Sequence, residues 1–161
     1  MYVAQTLKRF YIVRASWVFG IHGRNFVQTI LRLAEQHSSL RVVNDQYGRP
    51  TYTRDLAKLL ADMADTERYG IYHATNEGET VSWADFARAI LAMAGKNTQV
   101  IPVTTEEYGV AKAARPQNSR LDTSKLAACG FSPLPDWKDA LKRYLRAPDG
   151  ADAETSGETA L

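Results

Sequence analysis

Cysteine is almost absent from this 161-residue sequence: Cys129 stands alone. One thiol excludes an internal disulfide framework and fits a reducing compartment, which makes the cytoplasm the expected location. Long apolar runs are missing too, so no membrane span and no membrane partner are expected, and the N-terminus lacks a secretory signal pattern. The three histidines, His22, His37 and His73, share no i,i+4 spacing. With a single cysteine they cannot build a zinc site, and no metal centre is expected. No G-x-G-x-x-G or G-x-x-G-x-x-G occurs, which removes the backbone cradle of a dinucleotide pyrophosphate. A P-loop is likewise missing, and no G-x-S-x-G elbow presents a serine nucleophile.

What is present describes one ordinary globular domain. Apolar residues make up 45% and charged residues 24% of the chain, neither extreme enough to suggest disorder. There are 20 basic and 18 acidic residues, but Asp149, Asp152, Glu154 and Glu158 fall in residues 147–161 without a single base. That stretch is small, polar and aperiodic and reads as a disordered acidic tail. Residues 1–146 form the folded domain and are moderately basic, which suits either plain solvation or an anionic ligand. Bases and aromatics are not arranged as a stacking platform or recognition helix, so no nucleic-acid partner is expected.

Strand and helix signals alternate along the chain, which gives the α/β class. Phe10–Arg14, Leu40–Val43, Tyr69–Ala74 and Gln99–Val103 read as strands. Between the first two, Phe26, Val27, Ile30, Leu31 and Ala34 fall at helical spacing behind Asn25 as N-cap. Thr53 reads as the cap of a helix with the face Leu56, Leu59, Leu60 and Met63. Ser82 and Asp85 form an S-x-x-D start for a helix that stops at Gly95. Short helices follow near Ser124–Cys129 and Asp136–Arg146, the latter burying Trp137, Leu141 and Leu145. Gly48-Arg-Pro50 must interrupt regular structure. Residues 2–9 read like the end of a helix entering a strand, as though Met1 were an interior point of a longer pattern.

Two local motifs carry chemistry in principle. Gly20-Ile-His-Gly23 turns the chain, and the helix that follows could hold a phosphate on its free N–H groups. Tyr108 and Lys112 match the Y-x-x-x-K in which lysine lowers the pKa of a catalytic tyrosine. Gly109 and Arg115-Pro116 deny that pair a stable helix, so it is read as a chance match.

An ordered set of segments resembles the dTDP-4-dehydrorhamnose reductase family of the extended short-chain dehydrogenase/reductase superfamily. They are Val13-Arg-Ala-Ser-Trp-Val-Phe-Gly20, Asn25-Phe-Val27, Asp45-Gln-Tyr-Gly-Arg-Pro-Thr51 and Asp55-Leu-Ala57, then Gly70-Ile-Tyr-His73, Ser82-Trp83, Glu107-Tyr108, Arg115-Pro116, Asn118-Ser119 and Leu134-Pro-Asp-Trp137. The resemblance implies the C-terminal, substrate-binding portion of an NAD(P)-binding Rossmann-type fold, with the N-terminal cofactor half missing. NADPH would serve the complete enzyme, and this chain alone would bind no cofactor and have no catalytic residue of its own.

Carried over residue by residue, the resemblance places Ser16, Trp17 and Val18 beside the nicotinamide and sugar. It places Asn25, Phe26 and Val27 at the diphosphate. Gln46, Gly48, Arg49, Pro50 and Thr51 would form a loop over the nucleotide, with Arg115 against phosphate. Trp17 could equally be a core tryptophan, and Arg49 and Arg115 surface ion-pair partners. Ala15 stands where the family often has threonine. The expected ligand is a dTDP-sugar. Relatives that act as regulatory subunits leave a second reading open, a non-catalytic module that self-associates through the surface the cofactor half would cover.

Overall fold

The computed structural model describes residues 2–109 and 115–147. Lys112 of the Tyr/Lys pair and the acidic tail from Pro148 onward therefore lie outside the described residues. In chain order the first elements are α1 (Tyr2–Thr6), β1 (Tyr11–Arg14), β2 (Val18–Phe19), α2 (Phe26–Gln36) and β3 (Ser39–Val43). Next come β4 (Tyr47–Gly48), β5 (Thr51–Tyr52), α3 (Thr53–Ala64), β6 (Gly70–His73), β7 (Asn76–Glu77) and β8 (Val81–Ser82). The last are α4 (Trp83–Met93), β9 (Gln99–Val103), α5 (Thr105–Tyr108), α6 (Ser124–Ala128), β10 (Leu134–Asp136) and α7 (Trp137–Arg146).

Parallel pairing dominates. β1 pairs with β6, setting Tyr11 opposite Gly70 and Arg14 opposite His73. β3 pairs with β9 from Ser39–Gln99 to Val43–Val103. β2–β5 and β7–β10 are short parallel pairs, and β4–β8 is antiparallel. Parallel neighbours need crossover connections, which the helices supply, and the result is the expected α/β class.

Local chemistry explains the helix boundaries. Asn25 Oδ1 accepts the Gln28 N–H at 3.1 Å and starts α2, whose Val27 and Ile30 are buried. Ser82 Oγ accepts the Asp85 N–H at 3.1 Å, and the Asp85 carboxylate reaches back to the Ser82 N–H, a capping box that starts α4. Gly95, with φ +66°, adopts the left-handed turn that releases the chain after α4. Two expectations need correction. Thr53 begins α3 but does not cap it, because its side chain lies against Gly20; a Cβ there would sit 2.1 Å from Thr53 Oγ1. Leu60 is 42% exposed, since the buried stripe of α3 runs through Leu59 and Met63.

Two apolar clusters fill the interior. The larger joins Phe19, Val27, Ile30, Tyr52, Phe86, Ile90, Trp137, Leu141 and Tyr144, with Leu145 packed at its margin. The smaller collects Leu59, Met63, Tyr72, Leu126, Phe131 and Leu134. Between them Arg143 donates to both oxygens of Asp55 at 2.8 and 2.7 Å. The hydrogen bond to Asp55 raises the Arg143 pKa above its ordinary value, outweighing the opposing effect of burial. Fully buried Asn76 donates to Asp55 Oδ2 (2.7 Å) and accepts the Tyr52 N–H (2.8 Å).

Ser82 also donates to Asn44 Oδ1 at 2.8 Å, so it fastens the start of α4 to the end of β3. Ser82→Ala is expected to lower unfolding stability by about 1–2 kcal/mol, as loss of a helix cap does. Urea unfolding with an unchanged m-value would show it.

Candidate functional site

The loops that leave the C-terminal ends of β1 and β4 are bonded to each other. Ser16 Oγ donates to the Arg49 carbonyl at 3.1 Å, and Thr51 Oγ1 donates to the Ser16 carbonyl at 2.6 Å. Thr51 N–H bonds the Trp17 carbonyl at 3.0 Å. Beneath them Thr75, fully buried like Thr51, reaches the Arg49 carbonyl at 3.1 Å and the Thr51 hydroxyl at 2.9 Å. Residues 16–18 and 49–51 thus form one laced surface. The first of these loops leaves the carboxyl end of parallel strand β1, and crevices outside such ends are where α/β folds hold ligands.

An aromatic wall stands on that surface. Trp17 has φ 49°, a left-handed conformation that is unusual for a bulky residue and costs on the order of 1–3 kcal/mol. Its indole stacks on Trp83 with ring centroids 3.5 Å apart and planes inclined by 8°. Trp83 in turn meets Phe26 at 4.5 Å. The Nε1–Cε2–Cζ2 side of the Trp17 indole abuts Gly48, where a Cβ would fall 2.6 Å from Cε2. Trp17 is half-buried and Val18 is 47% exposed.

Asn25 is occupied by its own turn. Its Nδ2 donates to the Gly20 carbonyl at 2.8 Å while Oδ1 caps α2. Val27 is 0% exposed and belongs to the core, where it anchors the first turn of α2. Phe26 is half-buried beside Trp83. The Tyr144 hydroxyl is buried without a hydrogen-bond partner among the described residues. Burial pushes its pKa up, opposed by the nearby side chains of Asn25 and Gln28.

Arg49 forms an ion pair within the fold. Nη1 donates to Glu77 at 3.2 Å and Nη2 to the Leu121 carbonyl at 2.8 Å, with only 14% of the side chain exposed. Gln46 is buried and donates to Thr105 Oγ1 at 3.0 Å. Gly48 and Pro50 are buried as well. Arg115 is exposed, next to residues 110–114, which lie outside the description. The segment just after it is fixed, since Gln117 O accepts the Tyr47 N–H and Tyr47 O accepts the Ser119 N–H, both at 2.8 Å. Beside Gln46, Asp45 accepts the Thr105 hydroxyl at 2.6 Å and the Thr105 N–H at 3.0 Å, and these bonds lower its pKa from 3.8.

The structure therefore brings together Ser16, Trp17, Gly48, Arg49, Pro50 and Thr51, with Phe26 reached through Trp83. Gln46 turns aside toward α5. Sequence reasoning missed Thr75, buried beneath these loops, and Trp83, stacked on Trp17. Trp83 was visible as the first residue of a capped helix and in the Ser82-Trp83 segment of the family resemblance, neither of which placed it beside Trp17, and nothing local marks Thr75.

These features define a class first: an α/β protein of mainly parallel strand pairs joined by helices, with its loops laced together at one end. The chain belongs to the RmlD substrate binding domain family, which matches residues 1–149. It is 44% identical over 146 residues to the spore coat polysaccharide biosynthesis protein SpsK of Bacillus subtilis, covering 91% of this chain and 50% of that protein. It is 46% identical over 144 residues to the dTDP-4-dehydrorhamnose reductase of Aggregatibacter actinomycetemcomitans, covering 81% of this chain and 48% of the relative. Among solved structures, the dTDP-4-dehydrorhamnose reductase of Bacillus anthracis in complex with NADP aligns with a TM-score of 0.82 at 39% identity. That match covers 88% of this chain and 49% of the other. The chain thus spans about half the length of the curated relatives it matches. No helix among the described residues is long and apolar enough to cross a membrane.

Gly48→Ala should drive a Cβ into an indole already held by Trp83. The expected result is a loss of about 1–3 kcal/mol, as for overpacked sites, with an altered near-ultraviolet circular dichroism band from tryptophan. The folded pKa of Asp45 is depressed, so its stabilisation is complete well above the unfolded value of 3.8 and is lost as pH falls through the folded value. Asp45→Asn should make the acid loss of stability below about pH 4 shallower, measurable by thermal unfolding across a pH series.

Proposed function

We propose that this chain is the nucleotide-sugar-binding part of an NADPH-dependent dTDP-4-dehydrorhamnose reductase. Such an enzyme reduces the C4 ketone of dTDP-4-dehydro-L-rhamnose to give dTDP-L-rhamnose. The observation that carries the reading is the lacing of residues 16–18 to 49–51 around a half-buried tryptophan, in a chain that belongs to the substrate-binding family.

Each element has a role that its chemistry supports. Trp17 and Phe26 offer apolar surface to the sugar, which suits the nonpolar face of a deoxyhexose. The first turn of α2 offers the N–H group of half-buried Phe26 to the diphosphate, since the Gln28 N–H is already taken by Asn25, while buried Val27 holds that turn in place. Gly48, Pro50 and Thr51 shape the loop over the nucleotide, and Gln46 braces its base through Thr105. Arg115 supplies a charge-assisted phosphate contact. Arg49 belongs to the same loop over the nucleotide, and its pairing with Glu77 supports a part in holding that loop in place.

The residues on the cofactor side fit only partly. Ser16, Trp17 and Val18 would border the nicotinamide, yet the sequence has no glycine-rich turn for the pyrophosphate. When bound to a complete enzyme, NADPH supplies the hydride. This chain contributes grip, orientation and phosphate neutralisation.

The test is calorimetric titration of the purified chain with dTDP-L-rhamnose, together with an NADPH oxidation assay on the keto-sugar. Saturable binding of the nucleotide sugar with no NADPH consumption above background is expected. Absence of binding would remove the proposal, and turnover by the chain alone would overturn the division of labour.

A further inference from the structure

The geometry points to Trp83 as the positioning residue of the site: it sets the plane of the Trp17 indole and joins it to Phe26. This inference rests on the sugar-nucleotide reading above and deepens it.

Trp17 does not hold its conformation unaided. Its backbone lies at φ 49°, a region that a bulky residue leaves unless its surroundings over-determine it. Two contacts can do so. On one face Trp83 stacks at 3.5 Å with nearly parallel planes. Along the Nε1–Cζ2 side the indole rests against Gly48, which tolerates it only for lack of a Cβ. Of the two, only Trp83 has a ring that resists tilting of the indole.

Trp83 is itself held firmly. It is the first residue of α4, directly after the Ser82–Asp85 capping box. The preceding pair lies in β8, where Ser82 stands opposite Tyr47 and Val81 opposite Gly48. The next residues, Ala84, Phe86 and Ala87, are buried. The Trp83 ring is nevertheless only half-buried, with Phe26 at 4.5 Å and Phe86 at 6.5 Å. It is a rigidly mounted aromatic plate between two loops, and it is more exposed than the core around it.

The consequence concerns specificity. With one indole face covered by Trp83 and one side by Gly48, Trp17 presents a preset surface, and a sugar need not order it on binding. Loss of Trp83 should therefore weaken the sugar-dependent part of recognition and spare the nucleotide part, which lies at the α2 N-terminus and the 46–51 loop.

The experiment uses the full chain labelled with 5-fluorotryptophan, which gives resonances for Trp17, Trp83 and Trp137. Fluorine NMR follows Trp17 in Trp83→Leu and Trp83→Phe, and titrations compare dTDP-L-rhamnose with dTDP. In Trp83→Leu the Trp17 resonance should shift and broaden while that of buried Trp137 stays in place. Affinity for dTDP-L-rhamnose should fall roughly tenfold, as expected for loss of preorganisation, and affinity for dTDP should stay within about twofold. Trp83→Phe should recover most of both, and it carries the test if the leucine variant does not fold. An unmoved Trp17 resonance overturns the inference, as does equal weakening of the two ligands. If the wild-type chain binds neither ligand, the sugar-nucleotide reading fails and so does any specificity role for Trp83. The Trp17 resonance then still decides whether Trp83 fixes the indole.

Discussion

One carboxylate, Asp55, holds the two halves of the interior in register. It accepts both Arg143 nitrogens from α7 and the Asn76 amide from β7, while Asn76 accepts the Tyr52 N–H of β5. Only 9% of the Asp55 side chain is exposed, so the charge depends on these partners, because a buried charge left unpaired is strongly destabilising. Asn76 also donates to the Pro135 carbonyl at 2.9 Å, which brings β10 into the same network. Helix α3, strand β5, the β7–β10 pair and helix α7 therefore share one polar centre. Strand β5 is where Thr51 takes the Trp17 carbonyl, so the placement of the site follows from Asp55 although Asp55 touches none of its loops.

The basic side chains divide between holding and binding. Arg49 belongs to the first kind. Its guanidinium is spent on Glu77 and the Leu121 carbonyl, and Thr123 completes Glu77 with a 3.0 Å hydrogen bond. A guanidinium so engaged would have to give up two partners to meet a phosphate, and each lost bond to a charged group costs about 1.5–3 kcal/mol. Under the proposed function, attraction for an anion then falls to the start of α2 and to Arg115. Arg143 likewise serves the fold, bridging Asp55 and Asp139. The basic balance of the sequence is thus a poor guide to where an anion would sit.

Helices were legible because their ends carry chemistry. Asn25, Ser82 with Asp85, Asp136 and Gly95 each mark a boundary by a side-chain bond or a left-handed turn, and each stands where the sequence put it. The longer strands were legible through β-branched and aromatic runs. Strands β2, β4, β5, β7 and β8 were not, since two residues have no period and form only because a partner strand is near. The same reason hid Thr75: its hydroxyl matters through Arg49 and Thr51, both more than twenty positions away. Tyr144 shows the limit of a helical face, for it is fully buried while Leu145, the expected member, is only half so. The site loops were legible through family resemblance alone. Neither spacing nor composition distinguished Trp17 as a ligand surface from Trp17 as core.

The position of Gly48 shows why such a loop can be both conspicuous in sequence and obscure in function. The run Gly48-Arg-Pro50 reads as a break in regular structure, and it does separate β4 from β5. Its glycine, however, is not there for a left-handed turn, since Gly48 is outside the positive-φ set. It is there to admit the indole of Trp17, at a distance no Cβ would permit. The left-handed backbone falls on Trp17 instead, whose strain is offset by stacking on Trp83. Strain, glycine and stack are one constraint seen from three positions, and all three lie within residues 17–83. The hydrogen bonds that lace the loops lie within residues 16–75. The aromatic surface and the loop beside it are therefore shaped by this chain's own contacts. A ligand would meet them already ordered, which is the condition under which modest buried area yields useful affinity.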